Sequence, residues 1–268
     1  MSGSEIIVQI EAVVDVVFGK KKVNLMNKRK RGEESLCIWK KRSIFFSLPY
    51  WENHMLRHNL DVMHIEKNVV DNVIGTVLNM DGKTKDNLKA CLILEDMGIR
   101  SELYLEELGS NKTYKPPACF EMTTSEKDCF LQVLKGVSVP DGYDLNVSRC
   151  VKLKEHKIFG MKSHDSHILI QSLFPIAIHG SLPDEVSKHL IDLSCFFREI
   201  CSKVLSLEDL KSLQKRIAVT LCELERIFPP SFFTVMVHLL IHLTDEARSE
   251  EHTLNSSHSD LSRMPSSA

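Results

Sequence analysis

The chain is poor in the signals that most quickly reveal a function. Its eight cysteines, at positions 37, 91, 119, 129, 150, 195, 201 and 222, include no C-x2-C pair. That spacing speaks against a zinc ribbon or a dithiol redox centre and reads as reduced thiols of a cytosolic or nuclear protein. No apolar run approaches the roughly 18 residues a membrane span needs. Residues 6–18 are apolar, but acids interrupt them and the basic run follows them, the reverse of a secretory signal. A phosphate-binding glycine loop, a dinucleotide fingerprint and a serine-nucleophile elbow are all missing. The net charge of −2 is too small to demand a nucleic-acid partner.

What is present is ordinary globular composition, 43% hydrophobic and 26% charged over 268 residues, enough for one large domain or two small ones. The charge is unevenly placed. Lys20, Lys21, Lys22, Lys28, Arg29, Lys30, Arg31, Lys40, Lys41 and Arg42 crowd one stretch. Residues 1–42 therefore read as a poorly ordered basic tail, either merely solvated or a nuclear import signal and phosphate-contacting arm.

Beyond it, IFFSLPYW (44–51) is short, aromatic and broken by Pro49, which suggests an extended segment. Apolar residues from Met55 to Leu78 recur at helical spacing with a break near Asn59, and Asp81-Gly82 closes them. A helix fits 85–97, capped by Thr84 and stopped by Gly98. Residues 109–122 read as loop. Thr123 and Glu126 form a capping box for a helix ending before Gly136. An irregular stretch at 137–150 suggests a boundary. Then come a helix from Ser163 to Ile178 stopped by Gly180, and a long one opened by Ser181 or Pro183. A third starts at a Ser206/Asp209 box with Leu210, Leu213, Ile217, Leu221, Leu224 and Ile227 inward, and an apolar one follows Pro229-Pro230. Turns this short make antiparallel neighbours. The expected fold class is mainly α, with a helical bundle in the C-terminal half preceded by a short extended segment and helices.

Three blocks carry a resemblance. SIFFSLPYWENHMLRHNLDVMHIEKNVVDNVIGTVLNMDGKTKDNLKA (43–90), KLKEHKIFGMKSHDSHILIQSLFPIAIHG (152–180) and LERIFPPSFFTVMVHLLIHL (224–243) resemble the distal part of plant CACTA (En/Spm-type) DNA transposases. The last two look like the domain of unknown function that follows the transposase core in that family. The resemblance divides the chain into a tail at 1–42, a transposase-core-derived segment at 43–150 and a helical domain of unknown function at 151–247. It implies the end of an RNase H-like core that cuts and joins DNA with carboxylates and magnesium or another divalent cation. It also implies a nuclear location, DNA and other transposase subunits as partners, and no membrane. The family's upstream acids have no counterpart before Ile44, so the resemblance implies a fragment, inactive in DNA cleavage and strand transfer alone. The alternative is a domesticated helical protein- or DNA-binding module.

Asp61 and His64, in HNLDVMH, match the D-x2-H element that related transposases carry beside the active site. One helical turn apart, they can share a metal or simply bond each other to fix a turn. Glu66 and Asp71 are weaker candidates. His238 and His242 have a metal-like i, i+4 spacing but lie in an apolar segment and read as core histidines. In His164-Asp165-Ser166-His167 the family usually has cysteine where this chain has Ser166, which removes a thiolate. Cys195 and Cys201 read as core packing.

Residues 248–268, RSEEHTLNSSHSDLSRMPSSA, depart from the family. AGA-TCG-GAA-GAG-CAC-ACG encodes Arg-Ser-Glu-Glu-His-Thr, and after a dropped base CTG-AAC-TCC-AGT-CAC encodes Leu-Asn-Ser-Ser-His. The tail therefore reads as a translated sequencing-library adapter.

Overall fold

A computed structural model describes residues 3–11, 44–53, 60–109, 113–138 and 147–247. The chain divides into two units between residues 59 and 60. In the first, α1 spans Gly3–Glu11, where a poorly ordered tail is expected, and Ile10 on it is buried. Residues 44–51 are not extended. Ile44–Ser47 is a 3-10 turn, because Pro49 removes a ladder donor and the rings of Phe46 and Trp51 close edge-to-face at 4.6 Å. The basic residues 20–42 and the tail 248–268 lie outside the described residues.

The second unit is mainly helical. Its first helix, α2 (Val62–Val77), begins where the Asp61 carboxylate accepts the His64 N–H at 3.0 Å. Nearly its whole C-terminal half is buried. The chain then turns back through Asn79 and Gly82, both at positive φ. Gly75 is required by this return, since a Cβ there would lie 2.9 Å from Lys83 Cβ and 3.1 Å from its carbonyl oxygen. The next helix, α3 (Leu88–Met97), is capped by Asn87, while Thr84 instead accepts the Asp86 N–H. Gly98 ends it at φ 67°.

Between α3 and α4 lies a two-residue antiparallel ladder, β1 (Glu106–Glu107) with β2 (Thr113–Tyr114), the second strand falling in the stretch 109–122 that reads as loop. Thr123 and Glu126 form the anticipated capping box of α4 (Thr124–Lys135). A one-turn α5 (Val147–Cys150) leads into a second small ladder, β3 (Val151–Lys152) with β4 (Lys157–Ile158).

From Ser163 to Ile178 the chain stays helical but changes pitch. It runs as α6 (Ser163–Ile168), a π turn (Leu169–Leu173) and α7 (Phe174–Ile178). The cause is Pro175, which has no N–H to give the Gln171 carbonyl. The ladder slips so that Phe174 N–H reaches back five residues to Leu169. The Ile170 carbonyl is then left without a ladder donor, and the buried Ser194 hydroxyl of the next helix donates to it.

That helix, α8 (Asp184–Ile200), buries Val186, Leu190, Leu193, Phe196, Phe197 and Ile200. After a short connection α9 (Leu207–Ile227) starts at the Ser206/Asp209 box and returns antiparallel along α8, with Arg216 paired to Glu199. All six of its anticipated core residues are buried. Pro229 and Pro230 open a 3-10 turn, then α10 (Val235–His238), with helix resuming over 240–247.

One hydrophobic cluster runs from Ile65 to Leu243 and so takes side chains from both sides of residue 150. Stacked rings join distant stretches: Phe120 on Phe228 at 4.7 Å and Phe228 on Phe232 at 4.2 Å. Asn72 Nδ2 donates to the Phe232 carbonyl at 2.7 Å, and Arg100 donates to the Ile227 carbonyl. All three blocks of the resemblance therefore meet in this core.

The Ser194 contact yields a test. Ser194→Ala leaves the buried Ile170 carbonyl without a donor, a loss of about 1–3 kcal/mol. At roughly 2–4 °C per kcal/mol for a unit of this size, calorimetry should register a lower melting temperature. An unchanged melting temperature would show that the π turn does not depend on Ser194.

Candidate functional site

The site is built around a carboxylate that folding removes completely from water. Glu66 is on the first turns of α2, on the face that also buries Ile65, Val69 and Val70, and it is 0% exposed. A charge in such a place must be met by hydrogen bonds or an opposite charge. Two side chains one helical turn apart supply the contacts. His167 Nδ1 lies 2.7 Å from Oε2, and the Gln171 amide nitrogen lies 2.9 Å from Oε1. His167 belongs to α6 and Gln171 to the π turn, so the pitch change caused by Pro175 sits inside the site. Such turns are frequent at functional positions.

The third wall is the end of α8. Cys201 is its C-cap, and its sulfur, the Glu66 carboxylate and a His167 ring nitrogen all lie within 4.8 Å of one another. Burial first, and then the facing Glu66 carboxylate, push the Cys201 thiol up to about 11, against the opposing pull of a hydrogen bond from Gln171. Among the described residues this is the one group of three or more histidine, cysteine, aspartate or glutamate side chains arranged to hold a metal ion.

The hydrogen bonding at His167 is over-subscribed. Nδ1 faces Glu66 Oε2 at 2.7 Å and the Gln171 amide nitrogen at 3.0 Å. A ring nitrogen offers one proton or one lone pair, never both. As a donor to Glu66 it leaves the Gln171 nitrogen facing another donor, and as an acceptor from Gln171 it has nothing to give an ionised carboxylate.

Asp61 and His64 are elsewhere. Both are exposed at the start of α2, where Asp61 spends its carboxylate on the His64 backbone N–H. The His64 ring lies 3.2 Å from the Asn68 amide. Asp71 forms a half-exposed pair with Lys83 at 3.4 Å. Asp165 caps α6 by accepting the Lys162 N–H at 2.9 Å, and Ser166 bonds back to the Lys162 carbonyl. Lys20, Lys21, Lys22, Lys28, Arg29, Lys30 and Arg31 fall outside the described residues.

One reading of the sequence needs correction. His238 and His242 are exposed, not core, because the apolar stripe of this segment runs through Val237, Leu240 and Leu243 and turns both rings to solvent. Their Nε2 atoms lie 3.3 Å apart. Cys201 packs half-buried against the core as expected, and it also ends its helix facing Glu66. The signal for the site was the acid in HIEKN opposite the histidine in HDSH, but the pairing spans 101 residues, and no local pattern reveals that.

Residues 200–251 match the family model of a domain of unknown function, DUF4218, which is typical of plant transposase-like proteins. The match begins at Ile200, takes in Cys201, α9 and the segment after the two prolines, and ends four residues into the stretch 248–268. No curated protein and no solved structure matches. Among the described residues no helix is long and apolar enough to cross a membrane.

The environment of Cys201 predicts its reactivity. With the thiol at about 11, roughly a thousandth of it is ionised at pH 8, against about a quarter for an ordinary cysteine. In metal-free protein, iodoacetamide should label the exposed Cys129 and Cys222 well before Cys201, as peptide mass spectrometry would record. Labelling of Cys201 at the rate of Cys222 would contradict the enclosed environment.

Proposed function

We propose that the chain is the helical module of a plant CACTA-type transposase-like protein, acting in the nucleus as a scaffold for transposase subunits and not cutting DNA by itself. The observation that carries this reading is the DUF4218 match at 200–251, on helices that share one core with the blocks 43–90 and 152–180. The order of those blocks is the order the resemblance implies.

The geometry of the D-x2-H element supports the second half of the proposal. Two-metal phosphoryl transfer needs several carboxylates converging on paired ions. Asp61 is exposed and engaged in capping its own helix. The buried group at Glu66 brings one carboxylate together with imidazole and thiol, a donor set ill-suited to magnesium. Any affinity for DNA comes from the basic residues 20–42, through phosphates and without sequence preference.

A second reading, a domesticated protein-binding module, draws on α3. Leu88, Leu92, Ile93 and Met97 on its outer face are about half exposed, an apolar strip of the kind that partner helices cover.

Purified protein incubated with plasmid or oligonucleotide substrates and magnesium or manganese should give no nicking or strand transfer. Binding to duplex DNA should be weak, fall steeply with added salt, and disappear when residues 1–42 are removed. Metal-dependent nicking that Asp61→Ala abolishes while the circular dichroism spectrum is unchanged would overturn the proposal.

A further inference from the structure

We propose that Glu66, His167 and Cys201 form a binding site for a zinc-class divalent cation that ties α2, α6 and the end of α8 together. This stands apart from the transposase reading: it concerns a different kind of metal, at residues the D-x2-H resemblance does not include.

An acid from α2, an imidazole from α6 and a thiol from the C-cap of α8 come from positions 66, 167 and 201, yet place one ligand atom each within 4.8 Å of the others. Around a tetrahedral ion with bonds of about 2.0–2.3 Å, ligand atoms are separated by roughly 3.3–3.8 Å, so little movement is needed. The chemistry of the set selects the ion. Nitrogen and sulfur donors with a single carboxylate suit zinc and its neighbours in the first transition row, whereas magnesium and calcium require oxygen shells. Three protein ligands leave a fourth position for water, and the His167 side, 27% exposed, gives solvent access.

A cation also removes the hydrogen-bond conflict at His167. With the Nδ1 lone pair on the metal, Nδ1 is no longer asked to serve both Glu66 and Gln171. Gln171 keeps its bond to the other carboxylate oxygen, 2.9 Å away, and acts as the outer partner that orients Glu66. Charge closes as well. A divalent ion, the Glu66 carboxylate and a Cys201 thiolate sum to zero, so the buried carboxylate is neutralised without lysine or arginine. Among the described residues its ion pair is with His167 alone. Binding releases the thiol proton to solvent as the metal–sulfur bond forms, and no electron moves.

The test uses the full chain stripped with chelator and titrated with cobalt(II) and zinc(II). Cobalt should add a sulfur-to-metal charge-transfer band in the near ultraviolet at one equivalent. Zinc should displace it and raise the melting temperature. Cys201→Ser should abolish the band, and His167→Gln should weaken binding at least tenfold. If Cys201→Ser does not fold, the loss of affinity in His167→Gln keeps the assay decisive, and Cys222→Ser should leave the band intact. The exposed His238–His242 pair is a rival chelate without sulfur, and His238→Gln should not touch the band. No charge-transfer band in the unsubstituted protein, or a band that survives Cys201→Ser, would overturn the proposal.

Discussion

A carboxylate with no access to water dictates much of how this chain must fold. Glu66 can be buried only if His167 and Gln171 are delivered to it, and they are delivered only if α6 and the π turn pack directly on α2. Removing one partner of a buried charge costs several kcal/mol, far more than an exposed pair contributes. The requirement therefore fixes register as well as proximity. A slip of one residue along α2 would put Ile65 or Lys67 opposite the imidazole. The same demand brings in α8, whose final turn presents Cys201 to the carboxylate.

The proline at 175 shows how a local defect is used in this arrangement. It breaks the hydrogen-bond ladder at Gln171 and Ile170, and both residues make tertiary contacts there. The Gln171 side chain goes to Glu66, and the Ile170 carbonyl takes the hydroxyl of Ser194. Two helices are thereby tied to a third at the point where one of them is least regular. The second anchor lies at the other end of α2, where Asn72 holds the Phe232 carbonyl and the Phe120, Phe228 and Phe232 rings stack. Pro229 and Pro230 serve that anchor by ending α9 and turning the rings inward.

What the sequence reveals here is local in range. Thr123 with Glu126 and Ser206 with Asp209 announce their helices because a capping box is complete within four residues. Gly98 announces an end because left-handed geometry is needed there. The core of α9 is legible in full because its apolar stripe follows one period. Where the reading failed, a nonlocal term decided. Residues 44–47 have strand-like composition but close on Trp51. His238 and His242 sit in a segment too apolar for its outward face to be told from its inward one. The meeting of Glu66 with Cys201 spans 135 positions, and the D-x2-H pair drew attention to the neighbouring turn of the same helix instead.

The segments on either side of residue 150 share one core and should unfold as one cooperative unit held by Glu66 and the Asn72 anchor. Native-state hydrogen exchange distinguishes this from independent unfolding, because local and global openings are separated by their free energies. The slowest amides of α2, α8 and α9 should exchange through one common opening of equal free energy. An α2 that exchanges by its own lower-energy opening, while residues 184–227 remain protected, would contradict it.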